Sequence, residues 1–196
     1  IRIDSPVDVV LGSPELKESA GPLVEWFRAS KRDLPWRKRM DAYRVWISEI
    51  MLQQTRVEAV KPYYERFLEE LPDVKALAEV PEERLLKLWE GLGYYSRARN
   101  LKKAAQEIME RFGGKFPDNY EDIRSLSGIG NYTAGAVSSF VYGIPKAAVD
   151  GNVLRVVTRL TADSDDITRA ATRTKIEKLI EEVIPFGEVG DFNQSL

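Results

Sequence analysis

The sequence predicts an all-α fold, and three observations predict it. Apolar residues recur at helical spacing in nearly every segment. No stretch alternates apolar and polar residues as a strand would. Glycine and proline fall between the periodic segments, at Gly113-Gly114, Pro117 and Pro145, and punctuate the joins.

Taken in order, residues 1 to about 15 have no clear period and read as an arm. Residues 22–29 read as a helix with Leu23, Trp26 and Phe27 on one side. Residues 42–55, 57–70 and 82–89 give three more. Over 97–112, Ala98, Leu101, Ala105, Ile108 and Phe112 keep the helical interval. Residues 119–126 and 131–142 flank a glycine hairpin, and 151–161 and 170–184 follow. Residues 192–196 open an apolar pattern that meets neither cap nor glycine, so a longer helix, and a longer protein, are expected there.

The 196 residues allow one large domain or two small ones. No apolar run approaches the ~18 residues that span a bilayer, and no secretory pattern opens the sequence, so a cytoplasmic location without membrane contact is expected. Cysteine and histidine are both absent. Zinc or iron–sulfur ligation by Cys or His, and nucleophilic catalysis by either, is therefore excluded within this chain. Acid–base work falls to carboxylates, lysine or tyrosine.

The 29 basic and 31 acidic residues leave a net charge of −2, but they segregate. Residues 28–44 hold seven arginines and lysines against Asp33 and Asp41, and residues 94–103 hold Arg97, Arg99, Lys102 and Lys103 with no acid. A basic face for nucleic acid and simple solvated helix faces both fit this pattern.

In the segment 42–55, Tyr43, Trp46, Ile47 and Ile50 share one face, with Val45 and Leu52 opposite. A helix apolar almost all round is buried. Glu49 lies beside Val45 and Leu52, so desolvation would raise its pKa, as a general acid requires. Pairing with a nearby arginine is the alternative. Asp150, in Val149-Asp-Gly-Asn152, is placed to cap the helix that follows, and the backbone amides and helix dipole would stabilise its anion. A purely structural cap is the alternative. Together the two carboxyls would divide an acid role and an anion role.

Leu126-Ser-Gly-Ile-Gly-Asn-Tyr132 reads as a tight hairpin opening a helix, with Gly128 and Gly130 free to take positive φ and to approach a phosphate. Ala134, Gly135, Ala136, Ser138 and Ser139 then make a small-residue surface that lets another helix pack close. Gly91-Leu-Gly-Tyr-Tyr-Ser-Arg-Ala-Arg-Asn100 is a second glycine turn, carrying two aromatics that can stack on bases and two arginines for phosphate, or simply a cap with aromatic packing.

These pieces together resemble the helix–hairpin–helix DNA glycosylase superfamily, and within it the MutY-type adenine DNA glycosylases. The resemblance rests on the hairpin with Asp150, Leu34-Pro-Trp-Arg37, Trp46-Ile-Ser-Glu-Ile-Met-Leu-Gln-Gln-Thr55, Trp89-Glu-Gly-Leu-Gly-Tyr-Tyr-Ser-Arg-Ala-Arg-Asn100, Ala148-Val-Asp-Gly-Asn-Val153 and Phe192-Asn-Gln194. It runs from about residue 21 onward. Bifunctional relatives carry a Schiff-base lysine where this chain has Tyr132, which implies a monofunctional enzyme. A thymine mismatch glycosylase can also carry tyrosine there, but lacks the motif containing Glu49.

The resemblance implies that duplex DNA is the partner, with adenine opposite 8-oxoguanine flipped from the stack. It implies that Glu49 protonates N7 of adenine and that Asp150 stabilises the sugar cation, with Tyr132 and Asn152 positioning them. Trp36, Arg37, Leu52 and Gln194 would line the adenine pocket, and Arg32 would support Glu49. Gln54, Thr55, Leu92 and Tyr94 would contact or wedge beside the opposing lesion, and Gly128 and Gly130 would hold backbone.

The implied fold is a helical barrel over 34–145, six helices with the helix–hairpin–helix at about 119–142, plus an incomplete second helical subdomain from 1–33 and 146–196. A monomer and a monovalent cation at the hairpin are implied too. A 4Fe-4S cluster is implied only for a longer protein, since its cysteines would lie beyond Gln194. A non-catalytic DNA-binding fragment and a helical protein-interaction module are the competing readings.

Overall fold

The computed structural model describes residues 13–196; of the arm predicted over residues 1 to about 15, residues 1–12 lie outside the described part, while Pro14 and Glu15 belong to the first helix instead. Those residues form twelve helices and no strand. Helix α1 (Pro14–Ser30) begins at Ser13, whose hydroxyl accepts from the Leu16 amide. It starts earlier than the sequence predicts because Pro22 is interior to it rather than at its start. Pro22 is exposed, and the buried stripe Leu16, Ala20, Val24 and Phe27 runs past it unbroken.

Two short helices have no counterpart in the predicted elements: α2 (Pro35–Lys38) and α5 (Val74–Glu79). Each is under two turns, too short to show a period. Helix α3 (Ala42–Leu52) ends before residue 55, because Gln53 caps it and Gln54 turns out at φ 56°. Helices α4 (Val57–Glu70), α6 (Glu82–Trp89), α7 (Ser96–Phe112) and α8 (Tyr120–Arg124) follow. Then come α9 (Asn131–Tyr142), α10 (Gly151–Leu160), α11 (Ala170–Val183) and α12 (Val189–Ser195). No described helix is long and apolar enough to cross a membrane.

Burial separates into two clusters. The first spans 34–142 and is built on Trp46, Phe67, Trp89, Leu101, Ile108 and Ile123. The second joins α1 to the far end of the chain through Leu16, Val24, Val153, Val157, Ile180 and Phe192. Arg28 of α1 reaches Glu188 and Asp191, both at 2.7 Å, and fastens α1 to α12. Helix α12 leans on α9, where Gly190 lets the Ser139–Phe140 backbone approach: a Cβ there would lie 3.2 Å from Phe140 Cα.

Candidate active site

Between the two cores lies a cleft of about 1030 Å3. It gathers Glu49, Tyr132, Asp150 and Asn152 with Arg32, Trp36, Arg37, Leu52 and Gln194, and its rim includes Gln54, Thr55 and Tyr94. These residues come from six separate stretches of sequence.

Glu49 sits one turn before the end of α3, a helix buried from Ala42 to Met51 except at Arg44, and is itself 9% exposed. Burial pushes its pKa up to about 7; the Asp150 charge adds to the rise, while the Tyr132 hydroxyl and the Arg37 cation oppose it. The pair with Tyr132 is close without meeting ordinary hydrogen-bond geometry. Among the described residues Glu49 makes no ion pair, so the simple Glu–Arg reading does not describe it. The cation that acts on Glu49 is Arg37; Arg32 acts on Arg37 instead, disfavouring its charge as burial does. Arg32 lines the cleft without touching Glu49's balance. Trp36 is buried edge-on to Tyr64, ring centroids 5.4 Å apart.

Asp150 is the N-cap of α10. Its Oδ1 accepts from the Asn152 and Val153 amides, each at 2.8 Å, and its Oδ2 from the Asn152 side chain at 3.2 Å. Three donors at the helix N-terminus thus fix the direction of the Asp150 carboxyl group. What aims this cap is the extended run before it. The Ala148 amide donates to Asn193 Oδ1 at 2.9 Å, and Asn193 Nδ2 donates to the Lys146 carbonyl at 3.1 Å. Arg173 donates to the Val149 carbonyl. Gly135 of α9 lets the run lie flat on the hairpin helix: a Cβ there would sit 2.1 Å from the Ala147 oxygen. The small-residue surface thus receives this extended run at Gly135 and a close-packed helix, α12, at Ser139.

The hairpin is fixed by one of its two glycines. Gly128 has φ 75°, and a Cβ on it would lie 2.7 Å from Asn100 Cβ. Gly130 has φ −95° and open space around it, so the expected positive φ does not apply there. Its extended conformation is one any residue adopts at an N-cap. Both glycines are exposed at the mouth of α9, outside the cleft.

The second glycine turn presents Tyr94, 66% exposed with φ 47°, and turns Leu92 the other way, to 7% exposure within the first core. Leu92 is therefore a packing residue, and the protruding aromatic is Tyr94. Arg97 locks this arrangement. Its guanidinium donates to the Ile50, Met51 and Gln53 carbonyls at the end of α3 and to those of Leu92 and Gly93. It stacks over Trp89 at 5.4 Å and Tyr94 at 5.7 Å. Gln54 and Tyr94, both non-glycine residues with positive φ, are thus held by one side chain.

Sequence reasoning missed Asn193 and Arg97 as organisers, and read the turn that carries Arg97 either as a phosphate contact or as a cap with aromatic packing. An amide side chain directly after the apolar Phe192, in Phe192-Asn-Gln194, was the available signal for Asn193. Four of the seven cations in 28–44 are paired: Arg39 and Arg44 with Asp41, Lys38 with Asp33, and Arg28, across the chain, with Glu188 and Asp191. Among the described residues Arg32 and Arg37 form no ion pair, and both face the cleft. The chain has no cysteine for an iron–sulfur cluster, and the described residues include no group of three His, Cys, Asp or Glu able to hold a metal.

The sequence is similar to the adenine DNA glycosylase of Rattus norvegicus, 41% identical over 88% of this chain and 35% of that protein. It is similar to that of Homo sapiens at 39% over 92% and 35%, and to that of Buchnera aphidicola at 40% over 89% and 49%. It therefore spans about a third to a half of these relatives' length. A thermostable thymine-DNA glycosylase superposes with a TM-score of 0.83 at 28% identity, covering 92% of this chain and 83% of that one. An endonuclease III in a trapped covalent DNA complex shares the fold, with a TM-score of 0.77 at 23% identity over 92% and 82%. The pattern of the HhH-GPD superfamily base excision DNA repair proteins matches residues 47–182, and this chain belongs to that family.

Proposed function

We propose that the chain is the catalytic part of an adenine DNA glycosylase, removing adenine paired with 8-oxoguanine or guanine by hydrolysis of the N-glycosidic bond, without lyase chemistry. One observation carries the reading: Glu49, protonated up to about pH 7, shares a cleft with the capped anion of Asp150. The names of the relatives supply the base, and Tyr132 in place of a lysine supplies the monofunctional mode.

In this mechanism the flipped adenine enters beside Trp36, Arg37, Leu52 and Gln194. Glu49 gives its proton to N7. The electrons of the C1′–N9 bond leave with the base, and the positive charge falls on the sugar. Asp150 faces that cation, as an ion pair or as a transient ester. Water adds at C1′ and yields its proton to a carboxylate of the pair. Gln54, Thr55 and Tyr94 meet the opposing base, and the amides at Gly128 and Gly130 meet phosphate. A monovalent cation at the hairpin and a monomeric state belong to the same reading.

The test is a single-turnover assay on duplex carrying adenine opposite 8-oxoguanine. Strand cleavage is expected only after alkali or heat. Cleavage without alkali removes the monofunctional mode. Bound duplex without any alkali-labile site leaves a DNA-binding fragment in place of an enzyme.

A further inference from the structure

The turn that makes the hairpin is held from outside by a residue absent from the reading above. Glu107, on α7, accepts from the Ser127 amide at 2.8 Å through Oε2 and from the Ser127 hydroxyl at 2.6 Å through Oε1. Asn100, seven residues earlier on the same face of α7, meets the next residue, Gly128. Four residues after Glu107, Arg111 donates to the Ser125 hydroxyl at 2.8 Å. Among the described residues Glu107 has no cationic partner, so its carboxylate is spent on the turn. The Ile129 amide closes the turn on the Leu126 carbonyl at 3.1 Å. The amides of Gly128 and Gly130 have no acceptor among the described residues, and both glycines are exposed residues.

We propose that Glu107 is a positioning residue for the DNA grip: by clamping Ser127 at both its amide and its hydroxyl, it fixes the turn that leaves the Gly128 and Gly130 amides free for a phosphate. The proposal rests on the hairpin's part in the function above. Its sign is distinctive. A carboxylate beside a phosphate site acts by charge to weaken binding, so its loss would tighten DNA if charge were all it contributed. As a clamp, its loss weakens DNA.

The experiment measures binding of the 196-residue chain to an undamaged duplex by fluorescence anisotropy, beside backbone amide exchange. Glu107→Ala is expected to weaken binding about tenfold and to speed exchange at Gly128 and Gly130, while the single-turnover rate on saturating substrate holds. Glu107→Gln, which keeps one acceptor oxygen, is expected to fall between. Ser127→Ala, which keeps the amide arm, is expected to lose about threefold and carries the test if Glu107→Ala does not fold. Unchanged or tighter binding overturns the clamp. Unchanged exchange overturns it independently of DNA. Failure of the unsubstituted chain to bind duplex overturns the hairpin grip itself, and the affinity claim with it.

Discussion

Asn193 accepts the amide proton of Ala148 at 2.9 Å, two residues ahead of Asp150. A side chain of the last helix thereby sets the direction in which the capped anion enters the cleft. Asn193→Ala leaves a buried backbone donor without a partner, at a cost of about 1–3 kcal/mol. Thermal unfolding is expected to show that loss. The single-turnover rate per folded molecule is expected to fall as well, because the run into Asp150 is released. An unchanged rate per folded molecule would confine Asn193 to stability.

Glu49 makes stability depend on pH with a definite sign. Its folded pKa is about 7, above the ordinary 4.5 of the unfolded chain. Its contribution is fully present below pH 4.5 and is lost as pH rises through 7, since the folded state holds a proton the unfolded state has released. The loss is on the order of 3 kcal/mol. Glu49→Gln is expected to flatten that dependence and to be more stable than the unsubstituted chain above pH 7, while abolishing excision. Urea unfolding at pH 4.5 and pH 8 checks it; an equal gap at both pH values counts against the raised pKa.

Two neighbours should move the Glu49 titration in opposite directions. The Tyr132 hydroxyl lowers it and the Asp150 charge raises it. Tyr132→Phe is expected to shift it upward and Asp150→Asn downward. Carboxyl carbon NMR of Glu49 reads both without requiring activity. Shifts of the same sign would mean that one neighbour acts through rearrangement rather than through its charge or hydroxyl.

The three glycines around the hairpin predict three different outcomes. Gly130→Ala meets open space in an ordinary backbone conformation and is expected to stay within about 0.5 kcal/mol. Gly128→Ala adds a positive-φ penalty to contact with Asn100. Gly135→Ala drives a Cβ into the Ala147 carbonyl, with a cost of about 1–3 kcal/mol or more. Thermal melts rank them. A Gly130→Ala variant as unstable as Gly128→Ala would overturn the assignment of the turn to Gly128.

What could be read from the sequence followed from local physics. The apolar surround of Glu49 was visible in its own helix, and Asp150 announced itself as a cap. The long helices showed their period. What was hidden depended on distance along the chain. Leu92 and Tyr94 look alike as candidates in sequence, and only the turn held by Arg97 sends one inward and the other out. Pro22 reads as a helix start only because a proline outweighed two local signals, the Ser13-Pro14 cap and the helical spacing of Leu16, Ala20, Val24 and Phe27. Arg37 acts on Glu49 from α2, a helix too short to show a period, while Arg32 lies in the loop before it.

The second core has a consequence for how the protein comes apart. It closes only when α1 meets α10, α11 and α12, so it carries the longest loop-closure entropy in the molecule. The first core is assembled from a continuous run and contains α3, α7 and the hairpin. Local opening of the second core would strip Asp150 from its place while Glu49 and the hairpin stayed put. On the proposed function, a partly opened molecule would keep its hairpin for DNA while Asp150 is out of place, so Arg28→Ala, at the joint between the two ends, is expected to lower the excision rate more than duplex affinity.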